Sequence, residues 1–159
     1  MDDSDAATPN RNERIMNTVW AISSAQSDLG RAFARRMKMH PTDAAAIVEI
    51  IRAEDRGQPL TPARLSERIG LTSGATSILL NRLEEAGHVL RKRGHADRRL
   101  VTLHSTPVVH HEGDEFFQAL RVALDKAMDA YSPRESAIVE RFVDEFRKTI
   151  DAYARAIVG

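Results

Sequence analysis

The sequence predicts a mainly α-helical protein of about six helices, interrupted once by a two- or three-stranded β-hairpin. Three observations lead to this fold class. Apolar residues recur at spacings of three and four along most of the chain, and cap residues followed by proline mark several helix starts. The single segment of strand character, between residues 88 and 103, is strongly basic and directly follows two closely spaced helices. That order is typical of a winged helix-turn-helix domain.

Composition excludes several classes of protein. The 159 residues contain no cysteine, so disulfides, thiolate nucleophiles and cysteine-bound metals are excluded. No apolar stretch approaches the roughly 20 residues of a spanning helix. The first ten residues, MDDSDAATPN, are acidic and lack the apolar core of a signal peptide. We therefore expect a soluble cytoplasmic protein.

The N-terminal third is predicted to contain an acidic, mobile tail and two helices. The tail covers residues 1–11, and a long helix follows over residues 12–40, with its apolar stripe at Ile15, Val19, Ile22, Leu29, Phe33 and Met37. Pro41 is expected to end this helix, and Thr42 to cap a second helix that reaches Ile51.

Two short helices and a hairpin are predicted next. Thr61 and Pro62 begin the third helix, and Gly70 is expected to end it. Thr72 caps a fourth helix that reaches Glu85 or Ala86. The strands are predicted at 88–93 and 99–103, around turn residues 94–97.

Two further helices complete the predicted chain. Thr106 and Pro107 open the fifth helix, which is expected to run to about residue 130. Ser132 and Glu135 form a capping box for the sixth helix. Both helices carry apolar stripes on one side.

The fourth helix is the candidate recognition helix. One side, formed by Ala75, Thr76, Leu79, Leu80 and Leu83, is expected to pack on the third helix. The opposite side is small or polar, so it could approach base edges, and Asn81 could bond adenine through two hydrogen bonds. An ordinary solvated helix face is the alternative. The candidate DNA-binding residues of this segment are Thr72, Ser73, Gly74, Ser77, Ile78, Asn81 and Arg82.

Positive charge is concentrated in the same part of the chain. The whole sequence has a formal net charge of +0, but residues 61–99 carry eight basic and four acidic side chains. The hairpin alone presents Arg91, Lys92, Arg93, Arg98 and Arg99 against Asp97. A basic hairpin beside a neutral helix fits a division between phosphate binding and base recognition. A solvated charged surface is the alternative.

These segments resemble the MarR family of bacterial transcription regulators. The resemblance lies in LTSGATS at 71–77, NRLEEAGHV at 81–89 and Asp97-Arg98-Arg99. It implies a homodimer in the bacterial cytoplasm that binds a pseudo-palindromic operator and is associated with the nucleoid through this DNA. It also implies that the protein acts as a repressor and is released by a small phenolic or other apolar ligand. It also implies that Asp97 and Arg99 are the family's D-x-R wing motif, with the arginine in the minor groove. His95 stands where the family often has proline, and Ser105-Thr106 where Leu-Thr is usual.

Dimerisation is also expected without the family. The domain at 41–106 can use only one side of each flanking helix, so apolar stripes remain in segments 12–40 and 107–159. A symmetric copy of the chain would cover these stripes. An effector pocket near the dimer helices would include Trp20 and Phe33, for which an ordinary core position is the alternative.

The histidines and the domain type also allow functions other than DNA binding. The six histidines could indicate metal or base chemistry, but the adjacent His110 and His111 point about 100° apart on a helix and are poor co-ligands. No metal site, cofactor or enzymatic activity is therefore expected. A winged-helix module for protein–protein interaction, without specific DNA binding, is the remaining alternative. The sequence identifies neither the operator nor an effector, and repression and activation both remain compatible with it.

Overall fold

The computed structural model describes residues 10–93 and 100–158. Within these ranges lie six helices and two strands in the predicted order: α1 Arg11–Arg36, α2 Pro41–Asp55, α3 Pro62–Ile69, α4 Ser73–Glu85, β1 Val89–Arg93, β2 Val101–Ser105, α5 Pro107–Met128 and α6 Pro133–Val158. The predicted fold class, a winged helix-turn-helix with flanking helices, is confirmed. Most of the predicted acidic tail lies outside the described residues. Among those described, no helix is both long and apolar enough to cross a membrane.

The chain divides into two compact units, Met1–Phe116 and Phe117–Gly159. In the first unit, α2 is the central element and contacts α1, α3 and β2. Its buried side is mostly alanine and isoleucine, which allows neighbouring helices to approach closely. The fully buried side chains around it include Phe33, Ile47, Ile50, Leu65, Leu80, Leu83 and Leu103. This core fixes α3, α4 and the hairpin on one scaffold.

The start of α2 differs from the sequence prediction. His40, and not Thr42, is the N-cap, because the His40 ring Nδ1 accepts a hydrogen bond from the Thr42 backbone N–H at 3.2 Å. Pro41 therefore begins α2 instead of ending α1. A proline is accepted at the first helical position because the N–H that it lacks would have no partner there. α1 itself ends at Arg36 with Met37 as its C-cap, and the next residue, Lys38, has a positive φ of 52°.

The second strand also differs from its predicted limits. β2 spans Val101–Ser105, so it begins and ends two residues later than predicted. It pairs antiparallel with β1, with Val89 opposite Ser105 and Arg93 opposite Val101. The Leu103 N–H also donates to the Leu60 carbonyl at 2.7 Å, which ties the sheet to the segment before α3. This tertiary bond, and the Ser105 contacts described below, extend the strand toward α5.

The flanking helices expose large apolar side chains. In α1, Trp20 and Ile22 are 60% and 54% exposed. The second unit, which holds the last part of α5 and all of α6, has only exposed or half-buried side chains among those described. Its exposed large apolar residues are Leu120, Val122, Leu124, Met128, Tyr131, Ile138, Val139, Phe142, Val143, Ile150, Tyr153 and Ile157. These helices therefore retain the unpartnered apolar surface that the sequence predicts.

Candidate nucleic-acid interface

The turn between α3 and α4 is short and internally bonded. Gly70 ends α3 in the left-handed conformation, with φ 65° and ψ 33°, as predicted. The Ser66 hydroxyl donates to the Leu71 carbonyl at 2.6 Å. Thr72 then caps α4 by accepting the Ala75 N–H at 3.2 Å. These local bonds set the direction in which α4 leaves α3.

The two predicted sides of α4 are confirmed by burial. Thr76, Leu79, Leu80 and Leu83 are at most 2% exposed and form the packed side, while Ala75, which was also predicted there, is half-buried at its edge. Ser73, Gly74, Ser77, Ile78, Asn81 and Arg82, together with the cap Thr72, are exposed. Ile78 is 67% exposed, which is unusual for an isoleucine in a small folded domain. Near the N-terminus of α4 the exposed side therefore carries small, uncharged side chains and one apolar side chain, Ile78.

Asn81 is held by the hairpin. The Arg91 Nη2 donates to Asn81 Oδ1 at 2.9 Å, and Arg91 Nη1 forms an ion pair with Glu84 Oε2, also at 2.9 Å. Arg91 thus connects β1 to two residues of α4 that lie one turn apart. Its positive charge is already matched by Glu84, so it differs from the other basic residues of the hairpin.

Arg82 is paired with a buried carboxylate that the sequence analysis missed. Its Nε and Nη2 donate to the two oxygens of Asp43 at 2.9 and 2.5 Å, in a bidentate arrangement. The Asp43 side chain is only 7% exposed, whereas that of Arg82 is 54% exposed. The hydrogen bond to Asp43 raises the pKa of Arg82 above its ordinary value. The position of Asp43 on the apolar side of α2, four residues before Ile47, was the available indication in the sequence.

Two hairpin cations remain available to a polyanion. The side chains of Lys92 and Arg93 are exposed, and neither has a carboxylate partner within the part of the chain that the structure describes. The predicted wing-tip residues His95, Asp97, Arg98 and Arg99 lie outside the described residues. The described part of the hairpin therefore contributes two exposed cations without a carboxylate partner among the described residues.

A second polar cluster, also missed from the sequence, joins α2, β2 and α5. Glu54 Oε2 accepts the Ser105 N–H at 2.7 Å and the Ser105 hydroxyl at 2.5 Å. Glu54 Oε1 lies 2.8 Å from His104 Nδ1, and the Ser105 hydroxyl lies 2.9 Å from His110 Nδ1. Glu54 lies 50 positions from His104 and 51 from Ser105 in the sequence, so no local pattern indicated the contact.

Hydrogen bonding controls the ionisation of Glu54. Burial raises the pKa of Glu54, but the hydrogen bonds from the Ser105 hydroxyl, the Ser105 N–H and His104 lower it more, so its pKa lies below the ordinary value of 4.5. Among the described residues, no group of three or more histidine and carboxylate side chains is arranged to hold a metal ion. The cluster thus fastens the base of the hairpin to α2.

Trp20 and Phe33 are not brought together. Phe33 is fully buried and its ring lies 5.2 Å from that of Phe116, whereas Trp20 is 60% exposed. Both residues lie on α1, and thirteen residues of helix separate them by about 20 Å. Phe33 is therefore a core residue of the first unit, and one small ligand could not contact both side chains of the same chain.

Part of the chain is similar to a known family. The sequence model of the MarR family matches residues 37–100, which include α2, α3, α4 and β1. A relative in Bacillus subtilis (strain 168), named as the uncharacterized HTH-type transcriptional regulator YcgE, is 26% identical over 113 residues, which cover 71% of each chain.

Solved structures share the fold. A MarR family protein from Bacillus stearothermophilus has a TM-score of 0.60 at 18% identity, covering 91% of this chain and 99% of its own. FabT of Streptococcus pneumoniae, solved in complex with DNA, has a TM-score of 0.60 at 23% identity, covering 89% of this chain and 98% of its own. The family and the named relative are transcriptional regulators and not enzymes. Through the match over residues 37–100 and through its fold, the chain is similar to the winged helix-turn-helix transcriptional regulators of the MarR family.

Proposed function

We propose that this protein is a transcriptional regulator that binds, as a homodimer, a two-fold-related site in double-stranded DNA. The observation that carries the proposal is the exposed side of α4, with Gly74, Ile78 and Asn81, together with the exposed hairpin cations Lys92 and Arg93, which have no carboxylate partner among the described residues. A narrow, neutral helix face suits the major groove, and the cations suit the phosphates beside it. The DNA complex of FabT, a protein of similar fold, supports the same use of the domain.

Exposed apolar surface on α1, α5 and α6 supports the dimer. Side chains such as Trp20, Leu124 and Tyr153 are between 53% and 70% exposed in the single chain. Surface of this kind usually marks an interface, and a two-fold dimer covers the same patch on both chains. A dimer would present two α4 helices, whose half-sites are expected about 10 bp apart or at a multiple of that distance.

Each hairpin is expected to reach the adjacent minor groove. In this part of the proposal, which the family resemblance supports, Arg99 inserts and Asp97 orients its guanidinium by a charge-assisted hydrogen bond. Arg99→Ala should then weaken binding more than Arg98→Ala. Asp97→Ala should also weaken binding, although it removes a negative charge near DNA. Tighter binding by Asp97→Ala, measured by fluorescence anisotropy at fixed salt, would contradict this role.

Repression, with release by a small apolar or phenolic ligand, completes the proposal and is supported by the resemblance to the MarR family alone. A reporter gene placed behind the selected site should be silenced when the regulator is present. A panel of phenolic compounds should restore its expression. Increased expression in the presence of the regulator would instead identify an activator.

Selection from a random duplex library tests the central claim. The protein should enrich inverted repeats, and Lys92→Ala should weaken binding to every sequence while lowering the slope of log affinity against log salt by roughly 0.9. Ile78→Ala, which removes no charge, should leave that slope unchanged and is the matched control. Failure to enrich any duplex sequence would instead favour the protein–protein interaction module.

A further inference from the structure

Arg91 fixes the orientation of the Asn81 side-chain amide. A guanidinium carries only hydrogen-bond donors, so the oxygen of Asn81, and not its nitrogen, must face the Arg91 Nη2 at 2.9 Å. Glu84 holds the other end of the same guanidinium at 2.9 Å. The amide therefore cannot flip without losing its bond to Arg91 and placing its NH₂ group against a cation.

The fixed amide has a defined hydrogen-bonding character. Arg91 occupies one of the two lone pairs of Oδ1 and keeps this oxygen on the hairpin side, so the Nδ2 group of Asn81, which can only donate, is the freer end of the amide for a partner outside the chain. Adenine bound through two bonds needs both a donor and an acceptor from the amide, because N7 accepts and N6 donates. Guanine presents two acceptors, N7 and O6, side by side. An amide that presents its NH₂ end outward thus matches guanine better than adenine.

We propose that Arg91 determines base preference by holding Asn81 as a hydrogen-bond donor, so that the position facing Asn81 favours guanine over adenine. The inference rests on the proposed DNA-binding function and specifies the chemistry of one contact within it. Arg91 is a positioning residue in this scheme, since it acts through Asn81. The proposed guanine contact of Asn81 differs from the two-bond adenine contact that the sequence alone suggested.

A direct phosphate contact is the competing role for Arg91. Its side chain is 30% exposed and its charge is matched by Glu84. Lys92 and Arg93 are exposed and have no carboxylate partner among the described residues. A phosphate contact changes affinity for all sequences alike, whereas a positioning role changes the preferred base. Base preference therefore separates the two roles.

The experiment compares enriched sites from a random duplex library. Asn81→Ala first identifies the contacted position, as the one whose base preference disappears. There, the wild-type protein should prefer guanine to adenine by about fivefold or more, the lower range for one good base contact. Arg91→Met keeps most of the aliphatic stem but releases the amide, so the ratio should fall to about one or reverse. Lys92→Met, the matched control, should lose affinity and keep the ratio.

A second variant tests the same inference without altering Arg91. Asn81→Asp keeps an oxygen for Arg91 but removes the donor, so guanine preference should be lost and cytosine, which offers a donor at N4, should be gained. If Arg91→Met does not fold, as judged by circular dichroism, this variant decides the question.

Several results would overturn the inference. They are a wild-type preference for adenine, an unchanged guanine-to-adenine ratio in Arg91→Met, and retained guanine preference in Asn81→Asp. Inverted repeats without any Asn81-dependent position would overturn this inference alone. Failure of the wild-type protein to enrich any duplex sequence would overturn the proposed function and, with it, the inference.

Discussion

Replacing Glu54 tests whether one carboxylate fastens the hairpin to the helical core. In Glu54→Ala the Ser105 N–H loses its acceptor, while Ser105 as a whole is only 8% exposed. The Ser105 hydroxyl is less affected, because it can donate to His110 Nδ1, 2.9 Å away. One unsatisfied buried donor and one lost charge-assisted bond together give a loss of about 3 kcal/mol. Glu54→Gln keeps an oxygen for the Ser105 N–H and should lose about 1 kcal/mol.

The assay is urea unfolding at pH 7, followed by circular dichroism at one fixed protein concentration, because dimerisation would make apparent stability depend on concentration. Glu67→Ala is the matched control, since its 3.5 Å pair with Arg64 joins side chains that are 68% and 73% exposed. It should change stability by less than about 0.5 kcal/mol. If Glu54→Ala unfolds at the same urea concentration as the control variant, the reasoning is refuted.

The pH dependence has a defined sign. Because folding lowers the pKa of Glu54 below 4.5, the stabilisation from its charge is complete above that pH and is lost as the pH falls through the lower, folded value. The difference in free energy of unfolding between wild type and Glu54→Gln should therefore be largest near neutral pH and shrink in acid. A difference that grows as the pH falls below 4.5 would contradict this account.

Three further outcomes are expected. Thr76→Val should be neutral or stabilising in urea unfolding, because the buried Thr76 hydroxyl has no hydrogen-bond partner among the described residues; a clear loss would show a missed partner. Arg82→Met should unfold at lower urea than Asp43→Asn, because it leaves a buried carboxylate without its cation, and the reverse order would contradict the pairing. Light scattering at micromolar concentration should give the mass of two chains; a mass of one chain would leave the apolar faces of α1, α5 and α6 unexplained.

Local sequence was sufficient for the order of the elements and for the two sides of α4. Thr61, Gly70 and Thr72 act within one helical turn of their own positions, so their caps could be predicted without knowing the rest of the fold. The buried and exposed sides of α4 followed from its 3.6-residue period. The family resemblance rested on the same short-range segments, which is why it could be recognised from 71–77 and 81–89.

Tertiary structure decided which polar residues are already engaged. Asp43 reaches Arg82 across 39 positions, and Glu54 reaches Ser105 across 51. From the sequence, Arg82 and Arg91 were equal to Lys92 as candidate DNA contacts; in the fold, both are paired with carboxylates, and Arg91 also holds the Asn81 amide. The spacing of apolar residues along a helix or strand indicates which of its sides is buried. The partner of a charged side chain depends instead on how separate helices and strands pack against each other.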